Sequence, residues 1–328
     1  MRGSAGRTDA SRAGVRRGAG RRPLAILLLA VIAAVSATVV AACSGGATAA
    51  SNDGKIVAVG AESEYADVLG QVGGQYVQAS AIMSNPNTDP HTFEASIAVA
   101  REVGNAQLIV QNGIGYDDFM NSIESASPNS GRTVINVQHL LKLPDSTPNP
   151  HLWYDPATMP KVADAVAADL SAIQPSHKAY FEANAAAFKD SLGKLAAAVA
   201  SFKAAYADVP VATTEPVADY LLTAAGADNL TPWTFQADIM NGVDPSPQSA
   251  ALQRALFTEH KVKAFLYNEQ VTDTLTQSFI TLAEQNHIPV VGVYETMPVP
   301  GYDYQTWMQT EVQDLRKAIA DRTSTEQL

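Results

Sequence analysis

With 22 Lys and Arg against 33 Asp and Glu in 328 residues, the chain is acidic, at a net charge of −11. Residues 1–42 hold seven arginines and one aspartate, so the remainder stands at −17, which argues against nucleic acid or an anionic membrane surface as its partner. Cys43 is the only cysteine, which excludes a disulfide within one chain.

Residues 1–22 are rich in arginine, and residues 24–40, LAILLLAVIAAVSATVV, are apolar. A basic stretch followed by an apolar one is the pattern of an export signal. The apolar run has nearly the length of a membrane-spanning helix, but small residues lead straight into Cys43 in the sequence VAAC. That junction resembles a bacterial lipobox, which implies that residues 1–42 are a signal peptide and that Cys43 is lipidated on the outer face of the cell membrane. The arginine pairs leave both the general secretory and the twin-arginine route open. Residues 43–54 are small and polar and read as a flexible tether.

The body, about 285 residues, suffices for one large domain or two ordinary ones. Residues 55–60, KIVAVG, read as a buried strand, and residues 62–72 carry helical spacing that ends at Gly73-Gly74. A strand over 75–83 leads into the turn Asp89-Pro90-His91, after which Ser96 is a good cap for a helix reaching Gly104. Strands over 107–111 and 133–137 flank a helix over 116–125. Strand and helix alternate, as in a parallel α/β lobe, where ligands collect beyond the carboxyl ends of the strands.

Asn149-Pro150-His151 repeats the pattern of the first turn. Proline fixes its own φ and holds the preceding residue extended, so each histidine sits on a stiff turn. Two such histidines about sixty positions apart read as two corners of one metal site, and the bland alternative for either alone is a local hydrogen bond. Asp155-Pro156 then predicts a helix start, with the helix continuing to Ile173. Residues 176–207 contain no proline and only one glycine, Gly193, and predict a long rigid helix joining two lobes.

The second lobe repeats the alternation. A strand over 209–213 ends at Thr214-Glu215-Pro216, one over 263–267 runs into Asn268-Glu269, and one over 288–294 ends at Glu295. Helices are predicted over 217–225, 248–260, 272–285 and 308–322. The expected architecture is α/β, with a lobe over 55–175, the linking helix, and a lobe over 208–328. His177 is expected to be exposed, His260 and His287 to sit at helix ends, and His139 to lie away from any metal.

In order, DPHTFEAS, PHLWYDP, TTEP and VVGVYETMP resemble the solute-binding lipoproteins of zinc and manganese ABC importers, the cluster A-I family. The resemblance covers nearly the whole body. It implies metal ligation by His91 and His151 from one lobe and by Glu215 and Glu295 from the other, with Glu269 the competitor for the fourth place. It also implies an ABC permease as partner, a lipid-anchored monomer, and a divalent transition ion, Mn2+ or Zn2+, as cargo rather than a catalytic cofactor. The chain departs from many zinc-specific members by carrying Glu215 where they carry histidine and by lacking a histidine-rich loop before His151.

Two other classes compete with this reading. His, His and Glu can hold a catalytic zinc in an exported hydrolase, although the sequence contains no HExxH helix or nucleophile elbow. A surface adhesin is the third possibility. Cys43→Ser is expected to leave folding and metal binding intact and to release the protein from the membrane fraction; a variant that stays membrane-bound means that the apolar run is itself the anchor.

Overall fold

The computed structural model describes residues 54–87, 90–298 and 300–327. The export signal, Cys43 and Asp89 lie outside the described residues. Among the described residues no helix is long and apolar enough to cross a membrane.

The first sheet contains β1 (Ile56–Glu62), β2 (Val77–Met83), β3 (Leu108–Gln111) and β4 (Thr133–Asn136), paired in parallel in the order β2-β1-β3-β4. The second contains β5 (Pro210–Thr213), β6 (Asp228–Asn229), β7 (Ala264–Asn268) and β8 (Val290–Val293), in the order β6-β5-β7-β8. The two sheets thus share one topology without a sequence repeat. In each, the strand order reverses beside the first strand, which opens a crevice at the carboxyl edge. Apolar β-branched runs such as IVAV in β1 suit strands covered on both faces. Gly60 permits the turn out of β1, because a Cβ there would lie 2.4 Å from the amide nitrogen of Ala66. That close return brings Glu62 and Glu64 to the crevice.

The linking segment is helical over Lys178–Ser191 and Gly193–Tyr206, divided at Leu192. Leu192 N still donates to Phe188 O at 3.3 Å and Ala196 N to Leu192 O at 2.9 Å, so hydrogen bonding carries across the division. Phe181, Ala185, Phe188, Leu192, Leu195, Val199 and Phe202 are all buried. Their alternating spacing of four and three makes one apolar stripe, which binds the segment along its length to the body.

The lobes share a core. Ile56, Val68 and Val110 belong to the same apolar cluster as Val211, Leu266, Val291 and Trp307. The last helix, Tyr304–Asp321, returns to the first lobe: Tyr304 OH donates to Trp153 O at 2.7 Å and Tyr304 N to Asp67 Oδ2 at 3.0 Å. Met297 N donates to Ser63 Oγ at 3.0 Å, and Tyr154 OH to Tyr294 O at 2.7 Å.

Several local expectations are corrected. Asp155 does not start the following helix; its Oδ1 accepts from Ala157 N at 2.9 Å in a preceding turn, and the helix runs Thr158–Ile173. His177 is not exposed but half-buried, stacked on Tyr76 with ring centroids 3.7 Å apart. The helix Trp233–Met240 and the two-residue strand β6 were not predicted, since the PWTF stretch lacks a polar cap and two residues are too few to show a period.

A braced linking helix and a shared core predict small changes in shape. Solution scattering of metal-loaded and chelator-treated protein is expected to give nearly superimposable curves; a clear change in the radius of gyration would show hinged lobes instead.

Candidate metal centre

His91 lies in the short helical turn Pro90–Thr92 that follows β2, and His151 immediately precedes the turn Leu152–Tyr154. Glu215 follows β5 and Glu295 follows β8. His91, Glu215 and Glu295 therefore belong to connections that leave the carboxyl ends of strands, whereas His151 comes after the short helix Val137–Leu140 that follows β4. His91, His151 and Glu295 come together, each offering a donor atom within 4.8 Å of the others. Glu295 Oε2 is 3.2 Å from His91 Nε2 and 3.1 Å from His151 Nε2. Glu215 stands outside this trio but is joined to it by Asn268, whose Nδ2 donates to Glu215 Oε1 at 3.2 Å and to Glu295 Oε1 at 2.7 Å. Glu269 lies apart from the trio, its carboxyl raised to about 7 by burial and by nearby Glu326. Successive strand residues point to opposite faces, so Asn268 rather than Glu269 reaches the crevice.

The supporting groups fix the donors. Asn149 Oδ1 is 2.8 Å from His151 Nδ1 and accepts from His151 N at 3.0 Å. An amide oxygen at Nδ1 keeps a proton on that nitrogen and turns Nε2 toward the centre. Asn149 Nδ2 donates in turn to Pro216 O at 2.7 Å, tying this histidine to the connection that carries Glu215. Tyr116 OH donates to Glu295 Oε2 at 2.9 Å, and Gln270 Oε1 accepts from Glu295 N at 2.6 Å. Trp153 is fully buried edge-on to His151, its centroid 5.4 Å away, so it packs beside the ring.

Charge at this depth is tightly managed. Burial alone would push the Glu295 carboxyl up, but His91 and His151 outweigh it and hold it well below the usual range. Glu64, also fully buried, is pushed up to about 8 by burial, with Glu295 adding to the rise. Glu62 is likewise raised, by burial and by the nearby Asp117 and Glu64 carboxyl groups. The donor set of imidazole and carboxylate suits a borderline to hard divalent ion. His139, His260 and His287 are exposed and apart from the trio, and His260 and His287 occupy left-handed positions just after helices, at φ 51 and 56. Tyr116, Asn149, Asn268 and Gln270 were missed in the sequence. Only Asn149 carried a signal there, as the residue opening the second proline–histidine turn.

The sequence profile of the family described as "ZnuA: Zinc-uptake complex component A periplasmic" matches residues 59–318. The chain is similar to the "Zinc-binding protein TroA" of Treponema pallidum, 28% identical over 159 residues, which is 47% of this chain and only about half, 51%, of that protein. It is also similar to the "Manganese ABC transporter substrate-binding lipoprotein PsaA" of Streptococcus mitis, at 23% identity over 90% of this chain and 98% of the relative. Among solved structures, the manganese-bound periplasmic metal binding protein of Candidatus Liberibacter asiaticus shares the fold, at a TM-score of 0.65 and 18% identity over 81% of this chain and all, 100%, of that one.

Glu64 makes stability depend on pH. Its carboxyl moves from an ordinary 4.5 to about 8 on folding, so between those values the folded state holds a proton that the unfolded state has lost. Its contribution is full below about 4.5 and is lost as pH rises to about 8. Glu64→Gln is expected to flatten the fall of the thermal midpoint across that window relative to the wild type, and an unchanged slope would contradict the assignment.

Proposed function

The chain belongs to the zinc-uptake component A (ZnuA) family, and from that premise we propose that it captures a divalent transition ion, Mn2+ or Zn2+, outside the cytoplasm and hands it to the permease of an ABC importer. His91, His151, Glu215 and Glu295 hold the ion in this reading, and a lipid on Cys43 keeps the protein at the membrane. The family is a solute-binding component of metal uptake and not an enzyme, so the exported hydrolase is set aside. The ion is cargo.

The observation that carries the proposal is the convergence of two imidazole nitrogens and a carboxylate oxygen within 4.8 Å of one another, at the junction of the two carboxyl edges. Glu215 supplies a second carboxylate through its link to Asn268. Two carboxylates neutralise a divalent ion, and neutral imidazoles add strong bonds without charge. His91 is the open side of the centre, with 23% of its side chain exposed, whereas the side chains of His151 and Glu295 are fully enclosed. The adjoining cleft, about 300 Å3, is lined by His91, Tyr116, Asp145, Trp233 and Met240 and gives the ion a path in and out.

Glu215→His tests the fourth corner. It replaces an anionic oxygen donor by a neutral nitrogen, which favours zinc over manganese. Competition titrations are expected to show manganese affinity falling more than zinc affinity. If the manganese-to-zinc ratio is unchanged or rises, Glu215 does not touch the ion.

A further inference from the structure

Asn268 ends β7, is completely buried, and stands between the two carboxylates. Both hydrogens of its Nδ2 are committed, to Glu295 Oε1 at 2.7 Å and Glu215 Oε1 at 3.2 Å. Its Oδ1 accepts from Gln270 N at 3.0 Å, and its own backbone N donates to Thr214 Oγ1 at 3.0 Å. Two carboxylate acceptors on one side and a backbone donor on the other leave a single sensible orientation of the amide. The group cannot rotate without breaking several buried hydrogen bonds at once.

This wedge divides the labour of the carboxylate oxygens. Glu295 Oε2 faces the Nε2 atoms of both histidines, while Oε1 faces the amide. An ion drawn symmetrically toward both oxygens of Glu295 would approach the positive ends of the Asn268 N–H bonds. The same holds for Glu215. On the ligand set proposed above, we infer that Asn268 is a positioning residue that restricts Glu215 and Glu295 to one oxygen each toward the ion. The centre then offers two nitrogens and two single oxygens, a four-donor shell. Zinc takes that shell readily. Manganese, which favours a larger oxygen-rich shell, is disfavoured by it. Asn268 therefore sets coordination number, and through it the preference between the two ions.

Cobalt(II) reports coordination number directly, because four-coordinate sites give intense visible d–d bands and six-coordinate sites weak ones. The wild type loaded with Co2+ is expected to show the intense bands. In Asn268→Val the carboxylates are free to turn both oxygens to the ion, so the bands weaken. Zinc affinity falls roughly 10–100-fold, as for other residues that orient metal ligands, and manganese affinity falls less. Asn268→Ser, which keeps one donor, is expected to lie between and covers the case in which the valine variant does not fold. Weak bands in the wild type would overturn the inference. So would an unchanged spectrum and zinc-to-manganese ratio in a folded variant, since a merely structural role would lower only the thermal midpoint. The ligand set is checked separately: His151→Ala should abolish the Co2+ bands, and bands that survive it refute the site rather than the role of Asn268.

Discussion

A carboxylate buried at the meeting point of two lobes is the constraint on which the rest depends. Removing Glu295 from water costs several kcal/mol unless its oxygens are satisfied. Here Oε1 accepts from Asn268, while Oε2 accepts from Tyr116 and lies within hydrogen-bond reach of His91 and His151. Tyr116, His91 and His151 come from the first lobe, and Asn268 and Glu295 from the second. The carboxylate is thus satisfied where the lobes meet, and two of the groups around it, His91 and His151, are those proposed above to hold the ion.

The frame around it is built to keep those groups in register. A linking segment bound along its length by one apolar stripe, a core common to both sheets, and the return of the last helix to Asp67 and Trp153 all oppose hinge motion. Movement is more readily placed at the rim, where His91 and the helix Trp233–Met240 border the cleft. Release by local displacement of these elements fits such a frame better than opening of whole lobes.

Much of this was legible in the sequence, and for physical reasons. Strands covered on both faces must be continuous apolar runs, so β1, β3, β7 and β8 announced themselves, and the absence of proline over 176–207 revealed the linking helix. The proline turns marked His91 and His151 because rigid backbone leaves a local signature. The polar groups between the donors left none. Asn268 and Gln270 depend on contacts between residues far apart in sequence, and Glu269 looked as suitable as Glu295 until strand alternation turned it to Glu326. The division at Leu192 was equally hidden, since the ladder of hydrogen bonds passes over it.

The most direct test is crystallographic. Crystals of the body grown with zinc, with data collected on either side of the zinc absorption edge, should give one strong anomalous peak per chain. The account places it between His91 Nε2, His151 Nε2 and the carboxylate of Glu295, with Glu215 drawn in as the fourth donor. A peak at His260 or His287, or none at the junction of the lobes, would contradict it.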